Sequence, residues 1–213
     1  LTNLTLSQNQ LDLVKALAKT GKPIVLILNE GRPRLIADIE PLVKAVVNTM
    51  LPGNYGGDAL ANLIAGDANF SGKMPFTYPK EINSLITYDY KPCEHIGKQM
   101  EGAYNYDAQV SVQWAFGYGL SYTTFDYGKL SLDKEQIKQG EPLKLAVSVT
   151  NSGQRDGEEV VQVYLKKQDD AEGPGKTLRA FKRVYIPAGK SVNVEFDLKD
   201  KELEWWDAQS NTM

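Results

Sequence analysis

The sequence contains only one cysteine and one histidine, Cys93 and His95. A single cysteine excludes a disulfide within the chain. With Glu94 the two residues offer too few ligands for a zinc shell, and near-adjacent loop residues seldom face one another as a catalytic cysteine–histidine pair must. We therefore predict no metal site here, and a surface or interface position for His95.

The chain also lacks a long apolar run and a basic cluster. No run approaches the roughly 20 residues of a membrane-spanning helix, and the first ten residues lack the basic and apolar regions of a signal peptide. The net charge is −3, with lysine and arginine scattered along the chain, which excludes the electrostatic footprint that nucleic acid requires. A length of 213 residues, 42% of them hydrophobic, indicates a globular protein of one large or two small domains.

The first 51 residues alternate between helical and strand patterns. Ser7 is the predicted N-cap of a helix through Lys19. The apolar runs at 24–28 and 45–51, separated by a helical turn at 41–44, predict two parallel strands buried on both faces. This pattern is typical of half of a doubly wound α/β domain. Half a domain leaves a sheet face and edge uncovered, so we expect the chain to begin in the middle of a domain.

A glycine-rich turn follows the second predicted strand. Pro52-Gly53 ends that strand, and Gly56-Gly57 opens a predicted helix over about 57 to 65. Asp58 suits the positive end of the helix dipole, and Gly66 suits a left-handed C-cap. Because Asp58 would repel a phosphate, we interpret the glycines as a structural turn.

Further along, 67–72 imitates the start of a calcium loop. The match fails where Tyr78 stands at the position of the bidentate glutamate, so this segment is interpreted as a turn. Its residues 69–71, like 3–5, also fit a glycosylation sequon.

Between 88 and 126 no regular period is visible, and aromatic residues are frequent. A loop of this length is usually functional or an interface. Its aromatic side chains can either stack on sugar rings or fix the connector to the α/β domain; they are Tyr88, Tyr90, Tyr104, Tyr106 and Trp114.

From Tyr127 onward the period changes to two, which predicts an antiparallel β-sandwich. Alternate apolar residues mark strands at 143–149, 161–165 and 192–198, with turns at 151–157 and 187–189. A complete sandwich of this kind needs about seven strands in about 100 residues. The stretch 127–213 is shorter, so we expect it to be truncated.

Two motifs carry a resemblance to a known family. The helix GGDALANLIAG with the following 69–75 segment, and FGYGLSYT at 116–123, resemble the second domain of glycoside hydrolase family 3, of the β-glucosidase type. The resemblance covers essentially the whole chain but only the last part of such an enzyme. It implies an α/β plus all-β fold: part of the α/β domain at 1–87, an irregular connector at 88–126, and a fibronectin type III-like, immunoglobulin-like sandwich at 127–213.

The resemblance also implies a function for the complete protein. Such enzymes remove terminal β-linked glucose from a β-glucoside or oligosaccharide by a retaining route, without metal or cofactor. Their nucleophile lies on an N-terminal barrel, and their acid/base glutamate precedes the helix that corresponds to 7–19. Neither position is in this sequence, so we assign no catalytic residue and expect the isolated chain to be inactive and to require the barrel as its partner. Family members are commonly periplasmic or secreted.

Four residues are candidates for substrate binding. Glu30 and Arg32 follow the strand 24–28 at its carboxyl end, where open α/β sheets place ligands. Glu30 can be a catalytic carboxylate that Arg32 orients. Alternatively, both residues can pair with neighbouring loops or with the barrel. The second interpretation is favoured because a glycosidase needs two carboxylates and Glu30 supplies only one. Asn54 and Tyr55 are candidates for the border of the sugar site.

Two other functions remain open from the sequence. The chain can be a non-catalytic module that binds carbohydrate or protein through the aromatic residues of 88–125. It can also be a self-contained hydrolase that uses Glu30, in which case the isolated chain would be active.

Overall fold

The computed structural model describes residues 3–82, 112–168 and 175–205. The chain divides into two compact units. The α/β unit comprises Leu1–Ala68 and Met74–Tyr118, and the sandwich unit comprises Asn69–Lys73 and Gly119–Met213. In the part of the chain that the structure describes, no helix is long and apolar enough to cross a membrane.

The α/β unit has the predicted alternation of helices and parallel strands. Its elements are α1 (Gln8–Ala18), β1 (Val25–Asn29), a 3-10 turn (Glu40–Leu42), β2 (Ala45–Met50), α2 (Gly56–Ala65), β3 (Tyr78–Pro79) and β4 (Val112–Trp114). The strands β1 and β2 pair in parallel, and β3 pairs with β4 antiparallel. Ser7 is the N-cap of α1, and Gly66 ends α2 at φ 85°, so both helix boundaries confirm the sequence prediction.

The hydrophobic core of the α/β unit lies on one face of the β1–β2 pair. Its buried side chains come from α1, from β1, from the loop that leads into the 3-10 turn, and from β3; they are Val14, Leu28, Ile36, Ile39 and Tyr78. On the opposite face, Val25 and Ile27 are 45% and 41% exposed. The prediction that β1 is buried on both faces is therefore wrong for the described residues.

The sandwich unit is built from six strands and a short helix in the described residues. They are β5 (Phe125–Tyr127), β6 (Ser131–Leu132), β7 (Leu143–Asn151), β8 (Gly157–Leu165), β9 (Thr177–Ile186), β10 (Ser191–Leu198) and α3 (Asp200–Leu203). Strand β7 pairs antiparallel with β10, β5 and β6, while β8 and β9 form a separate antiparallel pair.

Alternate side chains of the two sheets form the sandwich core. The buried residues are Leu145, Val147, Val149, Val161, Ile186, Val194, Phe196 and Leu198. The alternation predicted for the strands at 143–149 and 192–198 is confirmed. The chain passes from one sheet to the other between β7 and β8, where the sequence predicted a turn.

Candidate functional site

The polar candidates of the α/β unit lie on two loops at the carboxyl edge of the β1–β2 pair. Because the strands are parallel, the loops that follow them leave the same edge of the sheet. The amide of Glu30 donates to the carbonyl of Met50 at 3.0 Å, which joins the first residue after β1 to the last residue of β2. A Cβ on Gly31 would lie 3.2 Å from the Leu51 side chain. The structure therefore places the two loops side by side.

Glu30 is held by a buried tyrosine. The Tyr78 hydroxyl donates to Glu30 Oε1 at 2.7 Å, while its oxygen also lies 2.8 Å from the carbonyl of Arg34 and accepts from the Arg34 amide at 3.1 Å. Burial raises the pKa of Glu30 above its ordinary value, and the Tyr78 hydrogen bond and the Arg34 charge oppose that rise. Burial and the neighbouring Glu30 raise the pKa of Tyr78. The phenol thus stays protonated and anchors both ends of the 30–34 loop.

The arginine beside Glu30 is Arg34. Its guanidinium donates to the carbonyl of Asn3 at 3.2 Å, and its charge favours the ionised form of Glu30. Arg32, which the sequence analysis proposed as a partner of Glu30, has an exposed side chain on the same loop. An exposed guanidinium at this edge provides a planar set of donors suited to hydroxyl or carboxylate oxygens.

Asn54 and Tyr55 lie on the second loop, at the start of α2. Tyr55 occupies the N-cap position and is 83% exposed. A Cβ on Gly56 would lie 2.3 Å from the Pro52 side chain, so the turn requires glycine there. This turn places an amide and a phenol at the surface, where they offer hydrogen bonds and a flat apolar ring to a ligand.

The backbone at this edge is strained. Met50 has φ 53°, in the left-handed region that side chains other than glycine, asparagine and aspartate seldom adopt. Its amide donates to Asn48 Oδ1 at 2.9 Å, whereas Asn48 Nδ2 is buried without a hydrogen-bond partner in the described residues. Such strain clusters at functional sites.

The sequence analysis missed the role of Tyr78, which it noted only as a break in a calcium-loop pattern. Tyr78 is fully buried and packs edge-on against Trp114, with ring centroids 5.2 Å apart. Trp114 therefore takes the second of its two predicted roles, as a residue that fixes the connector to the α/β unit. The other aromatic candidates of the connector, with Cys93 and His95, lie outside the described residues.

A second polar cluster lies within the sandwich unit and was also missed. The Lys73 ammonium pairs with Glu159 Oε2 at 3.0 Å, and the Tyr127 hydroxyl donates to Glu159 Oε1 at 2.8 Å. Burial and the Glu159 carboxylate raise the pKa of Tyr127. The strand alternation offered a signal for this cluster, because Glu159 occupies an inward position of β8 between Gly157 and Val161, where an unpaired charge would be costly.

Asn69 anchors the start of the segment 69–73, which ends at Lys73. Its side-chain Oδ1 accepts from the Ser121 hydroxyl and from the Tyr122 backbone amide, each at 2.9 Å, and its Nδ2 donates to the backbone carbonyl of Asp156 at 3.0 Å. The amide group that the sequon interpretation would glycosylate is therefore engaged in structural hydrogen bonds. Among the described residues, no three histidine, cysteine or acidic side chains group as metal ligands.

Comparison with known proteins assigns the chain to a class and then to a family. It is 32% identical over 220 residues to a periplasmic β-glucosidase of Salmonella typhimurium, covering 98% of this chain and 28% of that protein. It is 34% identical over 213 residues to a xylan 1,4-β-xylosidase of Xylanibacter ruminicola, covering 100% of this chain and 24% of that protein. These relatives are glycoside hydrolases, and the chain spans less than a third of their length.

The structural and family comparisons agree. A β-glucosidase of Listeria innocua, solved in complex with isofagomine, superposes with a TM-score of 0.85 at 29% identity, over 98% of this chain and 30% of that one. The glycosyl hydrolase family 3 C-terminal domain matches residues 1–122, and a fibronectin type III-like domain matches residues 159–213. The chain belongs to glycoside hydrolase family 3 and corresponds to the C-terminal part of its members. This confirms the predicted family and fold class.

Proposed function

We propose that the complete protein is a retaining exo-glycosidase that removes terminal β-linked glucose, and that this chain supports catalysis without supplying the catalytic carboxylates. The main support for this proposal is the match to the Salmonella β-glucosidase, which spans 98% of this chain and 28% of that protein. The hydrogen bond from the buried Tyr78 to Glu30 further favours an anchoring role for this carboxylate.

The substrate preference is tested with the full-length protein, assayed on 4-nitrophenyl β-glucoside and β-xyloside. A higher kcat/KM for the glucoside is the expected result. Because β-xylosidases are also among the relatives, a higher kcat/KM for the xyloside would replace glucose by xylose in the proposal.

We also propose that Glu30, Arg32, Asn54 and Tyr55 border the sugar site from the carboxyl edge of the β1–β2 pair. The exposed Asn54 and Arg32 side chains offer donors to sugar hydroxyls, and the exposed Tyr55 ring offers a face for stacking. Glu30 contributes by fixing the loop that carries Arg32.

In the full-length enzyme, Asn54→Ala should raise KM about 3- to 10-fold, as expected for a lost hydrogen bond of about 1 kcal/mol. Asn62→Ala is the matched control, because Asn62 is an exposed asparagine on α2. An unchanged KM in Asn54→Ala would remove Asn54 from the sugar site.

Export to the periplasm or medium is part of the proposal, supported by the periplasmic description of the Salmonella relative. Fractionation of the native host, followed by immunodetection, should find the protein outside the cytoplasm. A purely cytoplasmic signal would contradict export.

A further inference from the structure

The carboxyl end of β2 contains a β-bulge. In the parallel register Leu28 lies opposite Asn48, and the next pair is Asn29 with Met50. Thr49 is therefore an extra residue in β2, and its hydroxyl donates to the carbonyl of Leu28 at 3.0 Å. Bulges are rare between parallel strands, and next to active sites they redirect the side chains that follow.

Met50 completes the bulge in the left-handed region, at φ 53°. Methionine keeps this conformation only where neighbouring groups hold it. The Met50 amide donates to Asn48 Oδ1 at 2.9 Å. An asparagine side chain that accepts from the amide two residues further on forms an Asx turn, which fixes the backbone between them.

The rest of the Asn48 side chain gains nothing in the described residues. Asn48 lies opposite the buried Leu28, and its Nδ2 is buried there without a hydrogen-bond partner. A buried donor of this kind destabilises the fold. A leucine of similar size would avoid that cost but would lose the acceptor for the Met50 amide. The use of asparagine at this position therefore lies in its Oδ1.

The conformation of Met50 determines how the two loops at this edge meet. The Met50 carbonyl accepts from the Glu30 amide at 3.0 Å, and the Leu51 side chain lies close to Gly31. Both contacts depend on the direction in which the chain leaves β2. A change of φ at Met50 would therefore move the 51–55 loop relative to the 30–34 loop.

We infer that Asn48 is a positioning residue for the proposed sugar site. By fixing Met50, it sets where the 51–55 loop presents its amide and phenol groups beside the 30–34 loop. Its action is through the backbone, so it is not a catalytic residue. The inference rests on the proposed sugar site at this edge and adds the device that holds the two sides of that site in register.

Kinetics of the full-length enzyme test this inference, with the 4-nitrophenyl glycoside that the enzyme prefers. Asn48→Leu should raise KM about 3- to 10-fold, as expected when one hydrogen bond to the sugar is misplaced, and should change kcat less than about 2-fold. Asn48→Asp retains the acceptor oxygen and should keep KM within about 2-fold of the parent value. Asn48→Ala replaces Asn48→Leu if the latter does not fold.

Val46→Ala is the matched control, because Val46 packs against the same core from the same strand. It should lower the melting temperature and leave KM unchanged. Met50→Gly separates an indirect role of Asn48 from a direct contact with the sugar. Glycine adopts a positive φ without strain, so Asn48→Leu should raise KM less in the Met50→Gly background. Equal effects of Asn48→Leu in the two backgrounds would overturn the inference.

A crystal structure of full-length Asn48→Leu gives a readout that does not depend on the sugar site. Residue 50 should leave the left-handed region and lose its hydrogen bond to the Glu30 amide. A retained conformation at residue 50, or an unchanged KM in the folded variant, would overturn the inference. The sugar site itself is tested by Asn54→Ala, so a raised KM there with an unchanged KM in Asn48→Leu would refute only the role of Asn48.

Discussion

At the scale of single residues, Tyr78 and Glu30 determine how the 30–34 loop is held. Tyr78 has no exposed surface, and its hydroxyl contacts the Glu30 carboxylate and the Arg34 backbone. Glu30 is half-buried, so ionising it in the folded protein costs more than ionising it in the unfolded chain. The stability of the chain should therefore depend on the protonation state of this carboxyl group.

The sign of this dependence follows from the raised pKa of Glu30. The folded state binds the proton more tightly than the unfolded state, so the contribution of Glu30 to stability falls as the pH rises through the raised pKa. Glutamine cannot ionise. The free energy of unfolding of Glu30→Gln, relative to the parent, should therefore increase as the pH rises above about 4, the ordinary range for a glutamate, and level off once Glu30 is ionised in the folded state.

Urea unfolding at a series of pH values measures this difference. Tyr78→Phe should enlarge the pH dependence of the parent, because it removes a hydrogen bond that opposes the raised pKa of Glu30. A difference between Glu30→Gln and the parent that is constant, or that decreases with pH, would contradict the assignment.

At the scale of elements, the segment 69–73 is the most informative part of the sandwich unit. Asn69 and Lys73 hold its two ends by hydrogen bonds and by the ion pair with Glu159 on β8. The Lys73 and Glu159 side chains are only 17% and 9% exposed. Removing one partner of such a pair leaves an uncompensated charge, whereas replacing both by apolar side chains does not.

Lys73→Met should therefore destabilise the chain by about 3 kcal/mol, and Lys73→Met/Glu159→Leu should recover part of the loss. Lys134→Met is the control, because the Lys134–Glu141 pair is more than 40% exposed on both sides and should contribute at most about 1 kcal/mol. Chemical unfolding of the four proteins measures this. A double variant less stable than Lys73→Met would show that the coupling is absent.

Two glycines test the close approach of this segment to the rest of the unit. A Cβ on Gly119 would lie 2.3 Å from the carbonyl oxygen of Gly72, whereas a Cβ on Gly72 would meet nothing within 4 Å. Gly119→Ala should destabilise by about 1–3 kcal/mol, as overpacking does, and Gly72→Ala should be nearly neutral. Equal melting temperatures for the two variants would contradict this packing.

The elements with a clear hydrophobic periodicity were predicted from the sequence. The strand and the side-chain roles that were missed each have a physical reason. The alternation of β7 and β10 and the caps of α1 and α2 are local signals, and they were read correctly. The strand β9 was not predicted, because Phe181 and Tyr185 on its outer face hide the polar–apolar alternation. The roles of Tyr78 and Glu159 depend on partners 48 and 86 residues away in the sequence, which no local pattern reveals.

At the scale of the whole molecule, the chain carries two units that match the C-terminal part of family 3 glycoside hydrolases. It covers 24–30% of three relatives. We propose that these units support hydrolysis by carboxylates that this chain does not contain. On this account, Glu30 positions a loop and does not carry out the chemistry.

The most direct test compares three proteins on 4-nitrophenyl β-glucoside: this chain alone, its full-length form, and a chimera in which the unmatched N-terminal part of the Salmonella relative precedes it. We expect no hydrolysis by the chain alone and hydrolysis by the two longer proteins. Hydrolysis by the chain alone, abolished in Glu30→Gln, would overturn this proposal and make Glu30 a catalytic residue.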